Sequence, residues 1–189
     1  MSIYNSDTFN VVGIDPGNNL GVSILTVSYD NGSFTIKRIE PHTFVLDNYK
    51  LNVMLDRHVS RLIYLKEIIT KICNTYQPLV VCLESAFMNS RFPKAVITLS
   101  TYVTAAELAI IEYNNFIKVF KYAPKYIKSE VCTGDADKKD MKKAISKIKE
   151  LNSLMKINEL SEHAIDATAM AYVGVKEIRQ HPILLTLTS

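Results

Sequence analysis

The sequence predicts an α/β fold: a five-stranded mixed sheet, built as an antiparallel meander followed by alternating strands and helices, with helices on both faces. Three observations carry that expectation. The start of the chain holds strand-like runs separated by turn signals, and its remainder alternates short apolar runs with helical periodicity. The length of 189 residues is also too short for two ordinary domains and a linker. A single domain over residues 1–189 is therefore expected.

The first run, FNVVGID at residues 9–15, is rich in β-branched residues and stopped by Pro16-Gly17, so it reads as a buried strand ending at Asp15. GVSILTVSYD resumes as a second strand, Asn31-Gly32 signals a hairpin, and SFTIKRIEPHTF alternates well enough for a third. From about Leu51 to Tyr76, Leu55, Val59, Leu62, Ile63, Ile69 and Ile72 recur at helical spacing until Gln77-Pro78 ends the helix. LVVCLE, residues 79–84, is a near-continuous apolar run of the kind a central, doubly covered strand needs, and it ends at Glu84.

A helix is expected from Pro93 to Asn114 and a fifth strand at IKVFKYAP, with Pro124 stopping the ladder and Lys125 to Gly134 forming a connection. Asp137 can cap a helix that carries Met141, Ala144, Ile145, Ile148 and Leu151 on one face and lysines on the other. Ser161 can cap the last helix, through HAIDATAMAYVGV.

Composition excludes more than it selects. With 48% apolar and 22% charged residues the chain resembles ordinary globular proteins, and disorder is excluded as a global description. A net charge of +3 names no partner. Cys73, Cys82 and Cys132 are odd in number and lack CxxC spacing, so neither a disulfide framework nor a cysteine zinc site is expected. The polar start MSIYNSDTFN does not resemble a secretory signal. No apolar run is read as approaching the roughly 20 residues that span a bilayer, and the longest uncharged candidate is taken to follow Asp166. An intracellular protein is expected.

Asp15 and Glu84 fall at the carboxyl ends of central strands, the edge of an open α/β sheet where ligands gather. Each has an ordinary explanation: Asp15 can open an Asp-Pro-Gly turn, and Glu84 can be a surface acid. A third signal is His163-Ala-Ile-Asp166, an i, i+3 pair near the start of the last helix, where Asp166 could simply complement the helix dipole. Small neighbours Ala164, Ala167 and Ala169 let that helix lie close to the sheet and bring its pair to Asp15 and Glu84. Two carboxylates about 4 Å apart repel by roughly 4 kcal/mol at an effective dielectric of 20, so such a cluster needs a cation. Hard oxygen ligands suit Mg2+ or Mn2+, and a pair of divalent ions about 4 Å apart suits in-line phosphoryl displacement.

GIDPGNNLGVSIL, LVVCLESAFMNSR, KYAPKYIKSEVCTGDADKKDMKKAI and HAIDATAMAY, in that order, resemble the RuvC family of Holliday junction resolvases over roughly residues 9–175. The long loop near residues 38–52 and the weak likeness between blocks resemble a divergent, phage-type member. The resemblance implies an RNase H-like fold and a metal-dependent endonuclease. Its products would be paired, symmetrical nicks in Holliday junctions and related branched DNA, made by a C2 homodimer in a bacterial or phage-infected cell. It makes Asp15, Glu84, His163 and Asp166 the metal-binding and catalytic set, for two Mg2+ ions per site with Mn2+ able to substitute. Many relatives have Asp at the position of His163, and a base or acid role for this His would make cleavage fall below about pH 6.5.

The resemblance also implies that Phe87 stacks on bases near the branch point and that Arg91 contacts phosphate beside it. It puts Lys128 and Lys139 near the scissile phosphate, with Lys139 in the catalytic set. Between Lys118 and Lys149 ten lysines face four acids, a local balance of +6 that leaves the rest of the chain net acidic. Lys138, Lys139 and Lys142 read as part of a track along the DNA backbone, although a solvated helix face produces the same pattern. The Pro93–Asn114 helix is the dimer-interface candidate, and burial in the monomer would explain its residues equally well.

Three other readings share some of these residues. A strand followed by Asp-x-Gly also opens the phosphate site of sugar kinases and actin-like ATPases, which need two such halves. An RNase H-like or YqgF-type nuclease acting on RNA or other structured nucleic acid would use the same metals. A binding module without catalysis would not need all four ligand positions filled.

Overall fold

Val11 and Val12 are consecutive, project to opposite faces of one strand and are both buried, so the sheet must be covered on each side. The structure, a computed structural model, describes residues 8–48, 56–85 and 93–182. The elements run β1 (Thr8–Asp15), β2 (Asn19–Asp30), β3 (Ser33–Val45), α1 (Arg57–Tyr76), β4 (Val80–Glu84), α2 (Pro93–Tyr113) and β5 (Lys118–Tyr122). Four helices follow: α3 (Pro124–Val131), α4 (Lys138–Lys147), α5 (Lys149–Asn152) and α6 (Glu162–Gln180). The strands form one sheet in the order β3-β2-β1-β4-β5, antiparallel at β3-β2-β1 and parallel at β1-β4-β5.

One face packs Val12, Ile14 and Val81 against Leu65 and Ile69 of α1 and Tyr102 and Ile110 of α2. The opposite face packs Val11, Leu25 and Val80 under Val173 of α6, with Ile127, Met141 and Ile145 from α3 and α4. Each such aliphatic side chain contributes about 1.5–3 kcal/mol when withdrawn from water. The β2–β3 turn has positive φ at both Asn31 and Gly32, the geometry that makes Asn-Gly a hairpin signal. Asp137 and Asp140 form a reciprocal capping box on α4, and Ser161 caps α6 by accepting from the Ala164 amide at 3.1 Å.

The structure corrects four of the expectations. The Lys125–Gly134 connection contains α3, because Pro124 is the first residue of a helix, where its missing N–H is not needed. The loop expected from residue 38 is strand as far as Val45, paired with β2 down to Asn19. Pro41 is accommodated because β3 is an edge strand. Helix α1 starts at Arg57, with the Asp56 carboxylate accepting from the amides of His58 and Val59; residues 51–55 lie outside the described residues. The apolar-run reading also missed α2: Ala95–Tyr113 has mean hydropathy 1.4 over 19 residues, long and apolar enough by composition to cross a bilayer, with 28% of that window buried. Its hydroxyl-bearing residues and Glu107 and Glu112 disguise the run in the sequence.

Candidate active site

Strands β1 and β4 are parallel neighbours in the register Ile14↔Leu83, so Asp15 and Glu84 emerge side by side at one edge of the sheet. Helix α6 crosses the same edge, and two glycines set how closely. A Cβ at Gly13 would stand 2.0 Å from the Ala167 carbonyl oxygen, and one at Gly21 would stand 2.1 Å from that of His163. The helix therefore rests on β1 and β2 by backbone contact. Thr168 secures it, its buried hydroxyl sharing a hydrogen bond with the Ser23 hydroxyl at 2.9 Å.

This seating brings His163 and Asp166 to the strand-end acids. His163 Nδ1 lies 2.8 Å from Asp15 Oδ2, and Asp15 is only 9% exposed. Burial, followed by the negative charge of Asp15, pushes the Glu84 carboxyl up to about 8. The same two causes push Asp166 up to about 6. His163 is held above its ordinary value by the hydrogen bond to Asp15, against the opposing effect of burial. Among the described residues no three His, Cys, Asp or Glu side chains are closed around a point as a metal site would be. Yet the donor set fits a hard divalent cation: three carboxylates and an imidazole converge, and burial together with the negative charge of Asp15 makes the ionised forms of Glu84 and Asp166 costly without a cation.

Beside them lies a cleft of about 220 Å³ lined by Glu84, Asp166, Lys128 and Lys138, with an apolar wall that includes Ile127 and Met141. The sequence matches the family described as crossover junction endodeoxyribonuclease RuvC over residues 11–173. The chain belongs to the RuvC family. It is accordingly a hydrolytic endonuclease of crossover junctions, and RuvC nucleases depend on a divalent metal ion and act on DNA inside the cell.

Solved structures agree in fold. Thermus thermophilus RuvC superposes with a TM-score of 0.67 at 19% identity, covering 91% of this chain and 96% of that one. T. thermophilus RuvC in complex with Holliday junction substrate gives 0.65 at 19% identity, covering 92% and 96%. The yeast mitochondrial Holliday junction resolvase Ydc2 gives 0.54 at 16% identity, covering 90% and 81%. A comparison with curated proteins finds no match.

Of the residues that the RuvC resemblance singles out, Asp15, Glu84, His163 and Asp166 are brought together, and Lys128 is brought to the cleft from α3. Lys138 lines the same cleft, and its ammonium is ion-paired with Glu162. That pair raises the Lys138 pKa, with smaller contributions from Asp166 and Asp15. Lys139 is exposed and lines, with Lys138, Lys142 and Glu162, an adjoining hollow of about 140 Å³ that shares Asp166. Lys142 Nζ donates to the Asn158 carbonyl at 3.3 Å. Phe87 and Arg91 lie outside the described residues. Sequence reasoning missed Glu162 as the partner of Lys138; its only sequence signal is an acid in the first turn after the Ser161 cap.

Proposed function

We propose that this chain acts as a single domain that resolves four-way DNA junctions. In this reading Asp15, Glu84, His163 and Asp166 hold two Mg2+ ions, for which Mn2+ can substitute. The supporting observation is that these four side chains converge at the carboxyl edge of a RuvC-type sheet beside a cleft carrying Lys128 and Lys138. When bound, the ions supply activation of water on one side of the phosphate and charge stabilisation on the other. The protein's own groups do the rest. The His163 imidazole orients Asp15, Lys128 and Lys139 bind the scissile phosphate, and Lys138 turns from Glu162 toward DNA as its charge is needed. Lys142 extends the track, while Phe87 and Arg91 hold the branch point.

The reading is tested with a synthetic four-way junction, a linear duplex and an RNA–DNA hybrid, each with Mg2+, Mn2+ or EDTA. Symmetrical nicks in opposing junction strands are the expected product. Preference for the hybrid would replace this function with a ribonuclease one.

Metal binding should be coupled to protons in a definite direction. Glu84, Asp166 and His163 all bind protons more strongly in the folded metal-free protein than their ordinary values imply. For the acids, each folded value exceeds the unfolded one, so the metal-free protein loses stability as pH rises from about 5 to about 8. The raised His163 has the same sign, since its contribution is complete at low pH and lost as it deprotonates. A divalent ion must displace these protons. Its affinity should therefore weaken, and cleavage with it, as pH falls below the Glu84 value of about 8. Metal titrations and melting curves between pH 5.5 and 8.5 check both signs; an affinity independent of pH would remove Glu84 from the ligand set.

Paired nicking requires two sites related by a two-fold axis. We assign the interface to α2, where Ile97, Leu108 and Ile111 are 66%, 51% and 48% exposed and return to one side of the helix. Their exposure favours association over the alternative of monomer core. Leu108→Glu is expected to leave the fold intact and yield a monomer in sedimentation equilibrium, with paired junction cutting lost. A dimer of unchanged stability would place the interface elsewhere.

A further inference from the structure

Helix α3 is only 8 residues long, with one buried side chain, Ile127, and no side-chain cap at its start. So short a helix has little stability of its own, and tertiary contacts must decide where it sits. Besides the packing of Ile127 in the core, polar contacts hold α3 to two adjacent residues near the far end of α6. Glu177 accepts from two phenols, Tyr122 at the end of β5 at 2.9 Å and Tyr126 of α3 at 3.0 Å. Lys176 donates to the Glu130 carboxylate at 2.7 Å and to the Glu130 carbonyl at 3.2 Å. The two tyrosine rings also pack together, with centroids 5.7 Å apart.

Helix α6 is a firm base for this attachment. A Cβ at Gly174 would meet Cys82 Sγ at 2.4 Å, so α6 packs here directly on the Cys82 side chain of β4 with no room for a side chain of its own. Burial foremost, with Glu177 among the further causes, raises the pKa of both phenols, which keeps them protonated and able to donate. Between Tyr126 and Glu130 in the sequence of α3 stands Lys128, the lysine that lines the cleft with Glu84 and Asp166.

We propose that Glu177 is a positioning residue for the nuclease: by gripping Tyr122 and Tyr126 together it fixes α3 on α6 and so holds Lys128 in the cleft. This rests on the phosphate-binding role given to Lys128 above. Glu177 takes no part in the chemistry itself. It makes one helix the reference for both halves of the site, the His163-Asp166 pair at its start and the lysine attached near its end.

The test combines Glu177→Ala, Glu177→Gln and Tyr126→Phe with Lys128→Ala, using single-turnover cleavage at saturating junction and amide hydrogen exchange. Glu177→Ala and Tyr126→Phe should each slow cleavage, the former by about tenfold, because a displaced phosphate contact costs rate more than binding. Glu177→Gln, whose amide can still bridge two phenols, should recover most of the rate. In the Lys128→Ala background Glu177→Ala should cost nothing further, whereas a general loss of stability would multiply the two effects. The α3 amides should exchange about tenfold faster in Glu177→Ala, while those of residues 163–170 keep their protection.

Multiplicative effects overturn the proposal, as does α3 exchange that stays slow in Glu177→Ala. Wild-type cutting by Lys128→Ala overturns instead the role of Lys128, and the exchange measurement then reports on the grip alone.

Discussion

Asp15→Asn should abolish junction cutting while leaving junction binding intact. The substitution keeps the size of the side chain and an oxygen able to accept from His163, so the 2.8 Å contact can persist. What it removes is one negative charge from the point where Glu84, His163 and Asp166 meet. A divalent ion contributes several kcal/mol of transition-state stabilisation, and loss of about 4 kcal/mol is about a thousandfold in rate. Binding should be equal or tighter, because Lys128, Lys138, Lys139 and Lys142 are untouched and an anion that repels phosphate is gone. The same charge drives Glu84 and Asp166 upward, so without metal the variant should melt at or above the wild-type temperature. Adding Mg2+ should raise the melting temperature of the wild type and not of the variant. Parallel loss of binding, or a metal-induced shift that survives, would remove Asp15 from the site.

Gly21→Ala should damage the enzyme almost as severely by a different route. Its methyl would lie 2.1 Å from the His163 carbonyl oxygen, a backbone atom that no rotamer change can move aside. The start of α6 must retreat by about 1 Å, which over-packing studies put at roughly 1–3 kcal/mol of stability. Displacement on that scale of groups aligned for reaction costs about a hundredfold in rate. The expected variant is folded by circular dichroism, less stable and nearly inactive. Gly17→Ala is the control from the adjoining turn, since the nearest atom to its new Cβ is 3.8 Å away, and it should behave as wild type. Equal activity of the two variants would show that α6 is free to shift without consequence.

The strands, the α4 and α6 caps and the four converging side chains were legible because each depends on local signals: apolar runs, turn residues, and acids at strand ends. Other features depend on partners distant in sequence. Gly13 and Gly21 read only as small residues until α6, about 150 residues later, is laid across them. Pro124 reads as a stop, and only the helix that follows distinguishes a stop from a first turn. Whether Lys138 or Lys139 faces Glu84 and Asp166 turns on the docking of α4 as a body, since neighbouring helix positions point about 100° apart. The grip of Glu177 on two phenols had no signature at all, because its donors come from β5 and α3.

Backbone seating of α6 on the sheet also separates two kinds of sequence change. Where a helix rests on side chains, every substitution in the intervening layer alters its height and tilts whatever it carries. Here the closest approach is set by main-chain atoms at Gly13 and Gly21, so Leu25, Val27 or Met170 can be exchanged for apolar residues of similar volume without resetting the spacing between Asp15 and His163. The core can drift while the edge that carries Asp15 and His163 keeps its gauge, and the tolerance of the fold is confined to positions that do not set that gauge.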